Sequence, residues 1–263
     1  GTVTIFSRLL KITGYMDART REILTSKRQT LTVTLNAGGF RSTGDMLSSI
    51  SGAGLTVAKL RLIDNGGPTV VCEVVGDDAQ AKLEGAGAGQ PWFKYARVEV
   101  LAAHGCFSDT GRYPETATYD NCALCVVRPH AVKAGNSGAI ISAIMNAGLE
   151  ISAMKMIHLS RPEAHELYEV YKGVLPYYQE IISEMISSPC IFMEIRAEGA
   201  VEALRKLSGP HDVELARHIM SDSLRARFGE SDAKNGVHCT DLASDGELEV
   251  RYVFEILDRV QAI

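Results

Sequence analysis

The chain has 263 residues, 46% of them hydrophobic and 22% charged, enough to bury one large core or two small ones. Its net charge of −5 is uneven, about +1 over residues 1–120 and −6 over 121–263, and it lacks the clustered positive charge that binds nucleic acid. No apolar run reaches the roughly 18–20 residues of a membrane span, and the start carries no signal-peptide pattern. We therefore expect neither nucleic acid nor membrane as a partner, and a cytoplasmic location.

The chain opens at Gly1 and continues in mid-pattern through Thr2-Val3-Thr4-Ile5-Phe6, so it reads as a piece of something longer. Farther on, residues 42–55 (Ser-Thr-Gly-Asp-Met-Leu-Ser-Ser-Ile-Ser-Gly-Ala-Gly-Leu) resemble residues 136–149 (Asn-Ser-Gly-Ala-Ile-Ile-Ser-Ala-Ile-Met-Asn-Ala-Gly-Leu), an offset of 94. Both predict a helix, a glycine stop and a strand, with Gly148 at a position that needs positive φ. The strand-like Gly67-Pro68-Thr69-Val70-Val71-Cys72-Glu73-Val74 matches Ser188-Pro189-Cys190-Ile191-Phe192-Met193-Glu194-Ile195 at an offset of 121. The chain is thus a tandem repeat, and its first copy lacks 27 residues that the second has near 158–187. Between the copies, Gly85-Ala86-Gly87-Ala88-Gly89 reads as a flexible linker, since no Lys-Ser/Thr follows to make a phosphate loop. Trp92, between Pro91 and Phe93, reads as the anchor of an irregular connection or as an exposed contact.

The second copy predicts a strand over 123–128, a helix over 137–147, a strand over 149–158 and a helical hairpin over 161–187. The hairpin opens on the capping-box pattern Ser160-Arg161-Pro162-Glu163. A strand over 189–197 and a helix over 198–208 follow, then a loop-rich tail. From Asp245 the pattern is ambiguous: Leu248, Val250, Tyr252, Phe254 and Ile256 alternate like a strand, whereas Ser244-Asp245-Gly246-Glu247 looks like a helix start. The class is α/β, an α+β sandwich of ferredoxin-like βαββαβ units, with an antiparallel sheet covered by helices on one face. The methionines Met145, Met154, Met156, Met185 and Met193 read as core filler. The six cysteines are scattered in apolar surroundings, which suits reduced thiols. The one CxxC, Cys122 and Cys125, falls in a strand, so we assign it no metal or redox role.

Among the seven histidines, His238 has the most suggestive setting, Asn235-Gly236-Val237-His238-Cys239-Thr240-Asp241, with Glu247 and Glu249 nearby. A neutral imidazole attacks phosphorus well, and a carboxylate on its second nitrogen fixes the tautomer; Glu249 is the carboxylate we select. Such a loop taken alone is more often plain surface. Arg205, Arg225 and Tyr168 raise its standing, since they could supply charge and hydrogen bonds to a polyphosphate.

These segments, taken with Val127-Arg128-Pro129-His130-Ala131-Val132, Ser137-Gly138, Ala147-Gly148 and Ser223-Leu224-Arg225-Ala226-Arg227-Phe228-Gly229, resemble successive motifs of the nucleoside diphosphate kinases, in order over about residues 121–257. Cys122-Ala123-Leu124-Cys125 and Tyr168-Glu169-Val170-Tyr171-Lys172-Gly173-Val174 are similar to a tandem-domain, ciliary branch of that family. The resemblance implies three parts: residues 1–28 as the end of a preceding small domain, 29–120 as a degenerate first kinase-like domain, and 121–263 as a second kinase domain. It implies transfer of the terminal phosphate of ATP or another nucleoside triphosphate, carried with Mg²⁺, to His238 and then to a nucleoside diphosphate. Glu249 would orient the histidine, Arg205 and Arg225 would hold phosphates and Asn235 the sugar. Tyr168 would position the histidine region, Tyr177 would stack on the base and Thr240 would keep a hydroxyl where the family has serine.

Two departures bear on activity. Arg128 stands where the family has lysine, and its planar fork is not equivalent to an ammonium. His211 stands where a threonine often meets phosphate. Nucleotide binding is thus expected to survive ahead of a full rate. In the first copy Asn36 falls at the position of Arg128, and Ala102-Ala103-His104-Gly105 is a weak echo of the catalytic loop, so that half is not expected to be an enzyme and His104 reads as a residual loop histidine. The resemblance also implies an alternative role as a structural protein of the ciliary axoneme. Its partners would be tubulin of doublet microtubules, other microtubule inner proteins and the γ-tubulin complex.

Overall fold

A computed structural model describes residues 2–5, 8–11, 28–99, 105–107 and 113–257. Strands β1 (Thr2–Ile5) and β2 (Arg8–Lys11) pair antiparallel as a separate two-stranded sheet. The next unit runs β3 (Arg28–Leu35), α1 (Thr43–Gly52), β4 (Thr56–Asp64), β5 (Pro68–Asp77), α2 (Ala79–Gly87) and β6 (Ala96–Glu99). The second repeats it with additions: β7 (Cys122–Val127), α3 (Pro129–Lys133), α4 (Ser137–Asn146) and β8 (Glu150–Ile157) come first. The hairpin follows as α5 (Arg161–Leu167) and α6 (Tyr178–Met185), then β9 (Cys190–Arg196) and α7 (Ala200–Ser208). The tail carries α8 (Val213–Ile219), α9 (Leu224–Phe228), β10 (Val237–Cys239) and α10 (Gly246–Arg251).

Strands β3 to β10 form one sheet in the order β10-β7-β9-β8-β4-β5-β3-β6. Each half therefore has the spatial order fourth, first, third, second, as a ferredoxin-like βαββαβ unit requires, and the whole order is a palindrome. The predicted α/β class with an antiparallel sheet is observed, and the predicted repeat is its symmetry. The one ladder pair across the seam joins Arg61 of β4 to Lys155 of β8, which are repeat-mates at the offset of 94. A pseudo-twofold axis passes there, and the helices obey it as an isologous contact would. A Cβ added at Gly44 of α1 would lie 2.5 Å from the Gly138 carbonyl of α4, and one at Gly138 would lie 2.3 Å from the Gly44 carbonyl. These helices meet backbone to backbone because both repeats place glycine at the crossing.

The helix stops are as predicted: Gly54 and its mate Gly148 take φ of +70° and +80°. So is the capping box, in which Ser160 and Glu163 bond each other's backbone. Trp92 is fully buried and donates its indole N–H to Ser49 (3.3 Å), so it is the anchor and not an exposed contact. The methionines are core: Met145, Met154, Met185 and Met193 are buried and Met156 packs against them in part.

Several expectations need correction. The sheet is covered on both faces in the second half, because β7 sends Ala123, Cys125 and Val127 into one core and Cys122, Leu124 and Val126 into the other. The hairpin α5–α6 and the C-terminal helix supply the extra cover. The same alternation puts the two CxxC thiols on opposite faces, where they cannot meet; burial pushes Cys122 up to about 12 and Cys125 higher still. The Gly85–Gly89 run is not a linker. Gly85, Ala86 and Gly87 belong to α2, and Gly87 is needed because a Cβ there would lie 2.2 Å from the Phe93 ring. The tail is helical, not loop-rich, over α8, α9 and α10. Beyond Asp245 the chain is α10 followed by a π-helical turn, Tyr252–Leu257. Val250, Val253, Phe254 and Leu257 are buried at helical spacing, and the apolar Leu248 and Ile256 of the apparent alternation are exposed. His104 and residues 101–103 lie outside the described residues, as does most of the predicted small-domain segment 1–28.

Candidate active site

His238 sits mid-strand on β10, paired with Val126 of β7, and is 2% exposed. Its Nε2 lies 3.3 Å from Glu249 Oε2. The same carboxylate oxygen accepts the Thr240 hydroxyl (2.8 Å), and Thr240 Oγ1 accepts the Leu124 N–H (2.8 Å). A chain of donors from the β7 backbone thus fixes Glu249, and Glu249 fixes the imidazole. Since a carboxylate accepts, Nε2 carries the proton and Nδ1 is left with its lone pair. Nδ1 takes no hydrogen bond from a described residue. The ring is walled by aromatic edges, with Tyr168 at 5.2 Å and Tyr171 at 6.4 Å between centroids.

Tyr168 is buried, and its hydroxyl meets Met185 Sδ (3.5 Å). Burial raises its pKa, so it contributes a rigid, uncharged wall. Arg128, 1% exposed, donates to the Ala233 carbonyl (2.6 Å) and lies over the Tyr168 ring (5.7 Å). Arg225 is also buried and donates to the carbonyls of Val237 (3.3 Å) and Gly209 (2.9 Å) and to Cys239 Sγ (3.5 Å). It therefore braces β10 at the two residues that flank His238. Arg205 is half-exposed and pairs with Asp241, which also accepts the Tyr171 hydroxyl. Burial would raise the Asp241 pKa, but Tyr171, His238 and Arg205 together hold it below the usual range.

Next to this cluster Asn235 is fully buried, with Nδ2 on the His211 carbonyl (3.4 Å). Tyr177 stacks on the His211 ring at 6.0 Å. Burial and the nearby Arg225 and Arg128 drop His211 to about 4, so it is neutral. Of the six buried side-chain polar atoms without a hydrogen-bond partner among the described residues, three lie here: Arg128 Nε, Asn235 Oδ1 and His211 Nε2. Such atoms cost free energy unless a ligand satisfies them.

The residues selected from sequence converge: His238, Glu249, Thr240 and Tyr168 in one contact group, Arg128, Arg225, Asn235 and Tyr177 around it, and Arg205 on its rim through Asp241. Sequence reasoning gave no role to Asp241 or Tyr171, although both lie within quoted motifs, and it missed Glu184. That carboxylate receives the His130 N–H (2.7 Å) and His130 Nδ1 (2.8 Å) from a helix 54 residues away, and no local signal announces it.

The nucleoside diphosphate kinase family model matches residues 121–258. Nucleoside diphosphate kinase homolog 7 of Rattus norvegicus is 32% identical over 311 residues, spanning 97% of this chain and 78% of that protein. A nucleoside diphosphate kinase of Chlamydia muridarum is 39% identical over 140 residues, 53% of this chain and 96% of its own length. A crystal structure of the Aquifex aeolicus nucleoside diphosphate kinase is similar with a TM-score of 0.49 and 31% identity, over 52% of this chain and 97% of that one. With a matched family model over its second half and a similar relative along nearly its whole length, the chain belongs to the nucleoside diphosphate kinase family.

Proposed function

We propose that the second half transfers the terminal phosphate of a nucleoside triphosphate to a nucleoside diphosphate through a phosphohistidine at His238. The carrying observation is the Leu124–Thr240–Glu249–His238 chain, which protonates Nε2 and leaves Nδ1 as the nucleophile. In the first half-reaction the Nδ1 lone pair forms the N–P bond as the bond from the terminal phosphorus to its bridging oxygen breaks, and the diphosphate leaves with that electron pair. Glu249 then faces the positive charge that develops on the imidazole, which a fixed carboxylate stabilises. The acceptor diphosphate reverses the step. Arg128, Arg225 and Arg205 surround the phosphate path with positive charge, the last after release from Asp241. Arg128 Nε and His211 Nε2 offer unsatisfied groups to the phosphates and Asn235 Oδ1 to the sugar, while Tyr177 offers its ring to the base. Among the described residues no three His, Cys, Asp or Glu side chains gather to hold a metal ion. Mg²⁺ enters this reading as part of the nucleotide substrate, and we derive no step through it.

The test is incubation with γ-labelled ATP and Mg²⁺ beside His238→Ala. Acid-labile label that needs His238 and discharges into GTP on adding GDP is expected; absence of label from the unaltered chain would sink the proposal.

A second reading, a docking body in the ciliary axoneme, is supported by one observation. The first half keeps the four-stranded fold, yet the counterpart of Arg128, Asn36, is spent on capping, its side chain accepting from Gly38 N (3.0 Å). We include in this reading the division at residues 28 and 120, and tubulin, inner proteins of doublet microtubules and the γ-tubulin complex as partners. Co-sedimentation with polymerised tubulin is expected, and a chain that stays in the supernatant would overturn it.

A further inference from the structure

The histidine loop is clamped from two sides at Gly236, two residues before His238. Its carbonyl accepts the Arg128 N–H (3.0 Å), and its own N–H donates to His130 Nε2 (3.2 Å). A backbone N–H can only donate, so His130 Nε2 is bare and the ring proton sits on Nδ1. That proton goes to Glu184 Oε1 (2.8 Å), which also accepts the His130 backbone N–H (2.7 Å). All three groups are buried. Burial would raise the Glu184 pKa, but its hydrogen bonds from His130 lower it, so the acceptor stays ionised.

Glu184 stands on α6, the helix that Tyr177 precedes as N-cap. Gly236 stands between Asn235 and His238. The imidazole therefore links the helix behind the base-facing aromatic to the loop that carries the phosphoacceptor, and it bonds backbone at the loop end. From this geometry we infer that His130 is a positioning residue for phosphoryl transfer, holding the Asn235–His238 loop in register with α6 through a Glu184–His130–Gly236 relay. The relay rests on the reading of His238 as the phosphoacceptor.

Asparagine and glutamine separate its two ends. In His130→Asn the carboxamide nitrogen overlays Nδ1 and keeps Glu184 but abandons the Gly236 N–H. In His130→Gln the carboxamide oxygen reaches the place of Nε2 and keeps the Gly236 N–H while giving up Glu184. A buried amide without its acceptor destabilises the fold, and His130→Gln loses the Glu184 bond in its turn, so we expect both variants to melt at similarly lowered Tm, while only His130→Asn forms phosphohistidine about tenfold or more slowly at saturating ATP, with nucleotide Kd near that of the unaltered chain. His130→Gln should stay within about threefold, since the acceptor that Gly236 needs is retained. Equal rates in the two variants, a slower His130→Gln, or losses that track Tm would overturn the relay. If the unaltered chain takes no label, the kinase reading fails and the Gly236 amide decides the relay alone. Its hydrogen exchange should be faster in His130→Asn than in His130→Gln, and equal exchange would overturn it.

Discussion

Replacing Gly44 by alanine should loosen the seam between the two halves, and the size of the effect can be worked from the helix crossing. The new methyl would lie 2.1 Å from Ser142 Oγ, 2.5 Å from the Gly138 carbonyl and 2.8 Å from Ser142 N. The hydroxyl can rotate away, but the two backbone atoms cannot. Bringing the carbonyl contact out to an ordinary 3.4 Å requires α1 and α4 to part by about 0.9 Å. Overpacking of this kind costs about 1–3 kcal/mol, and alanine's better helix propensity returns about 0.5–1 kcal/mol. The net loss is about 0–2.5 kcal/mol, a fall in Tm of up to roughly 10 °C for a chain of this size. The control lies in the same helix: Gly52 has nothing within 4 Å of an added Cβ, so Gly52→Ala should be neutral or stabilising. Thermal unfolding followed by circular dichroism measures both. If Gly44→Ala matches Gly52→Ala, or raises Tm, the backbone-to-backbone crossing does not govern the seam.

Three further outcomes are expected. Thr240→Val strands the buried Leu124 N–H and should cost about 1–3 kcal/mol in urea unfolding and slow phosphorylation, whereas Thr240→Ser should restore both; a stable, active valine variant would contradict the donor chain. His211 has its folded pKa lowered to about 4 by burial, Arg225 and Arg128, so between the unfolded value of about 6.5 and 4 the unfolded chain binds the proton and the folded one does not. Stability should therefore fall as pH drops through that window, by at most about 1.4 kcal/mol per pH unit from this group, and His211→Gln should flatten the fall; an unchanged slope would refute the assignment. The chain has a single tryptophan, Trp92, buried in the first half, so its fluorescence reports that half. Because β4 and β8 share one sheet, its unfolding curve should coincide with circular dichroism, and an earlier fluorescence transition would mean that the halves unfold apart.

Much of this architecture was legible because the repeat is. The offset of 94 located α1 with α4 and β4 with β8, and the offset of 121 located β5 with β9. The 27-residue difference located the hairpin that covers the second outer face. What escaped was set by contacts distant in sequence. Gly85–Gly87 looked like a linker because glycine is a poor helix former, and the Phe93 ring that rewards a missing side chain at Gly87 lies on another element. The residues after Asp245 carried two periods at once, and burial chose the helical one through Val250, Val253, Phe254 and Leu257. At the site, the fold brings His238 and Glu249 together; His238 was legible from its motif and Glu249 from the family resemblance. Glu184 was not, since its partner His130 lies 54 residues away. Nor did the sequence show that Arg205 and Tyr171 converge on Asp241, because a rim network depends on side-chain reach across the fold.

The single ladder pair at the seam sets Arg61, which is buried, against Lys155, which is only partly so. Arg61 turns into the first half, where it binds Glu115 (2.6 Å) and the carbonyls of Tyr113 (3.1 Å) and Cys106 (3.3 Å). Two identical chains around such an axis would have to present the same side chain to itself, so every change there would be inherited twice and would have to suit both copies. A single gene carrying both halves escapes that rule. One side of the axis can drift toward anchoring its own connecting segment while the other keeps its chemistry, and the symmetry of the backbone outlives the symmetry of the residues.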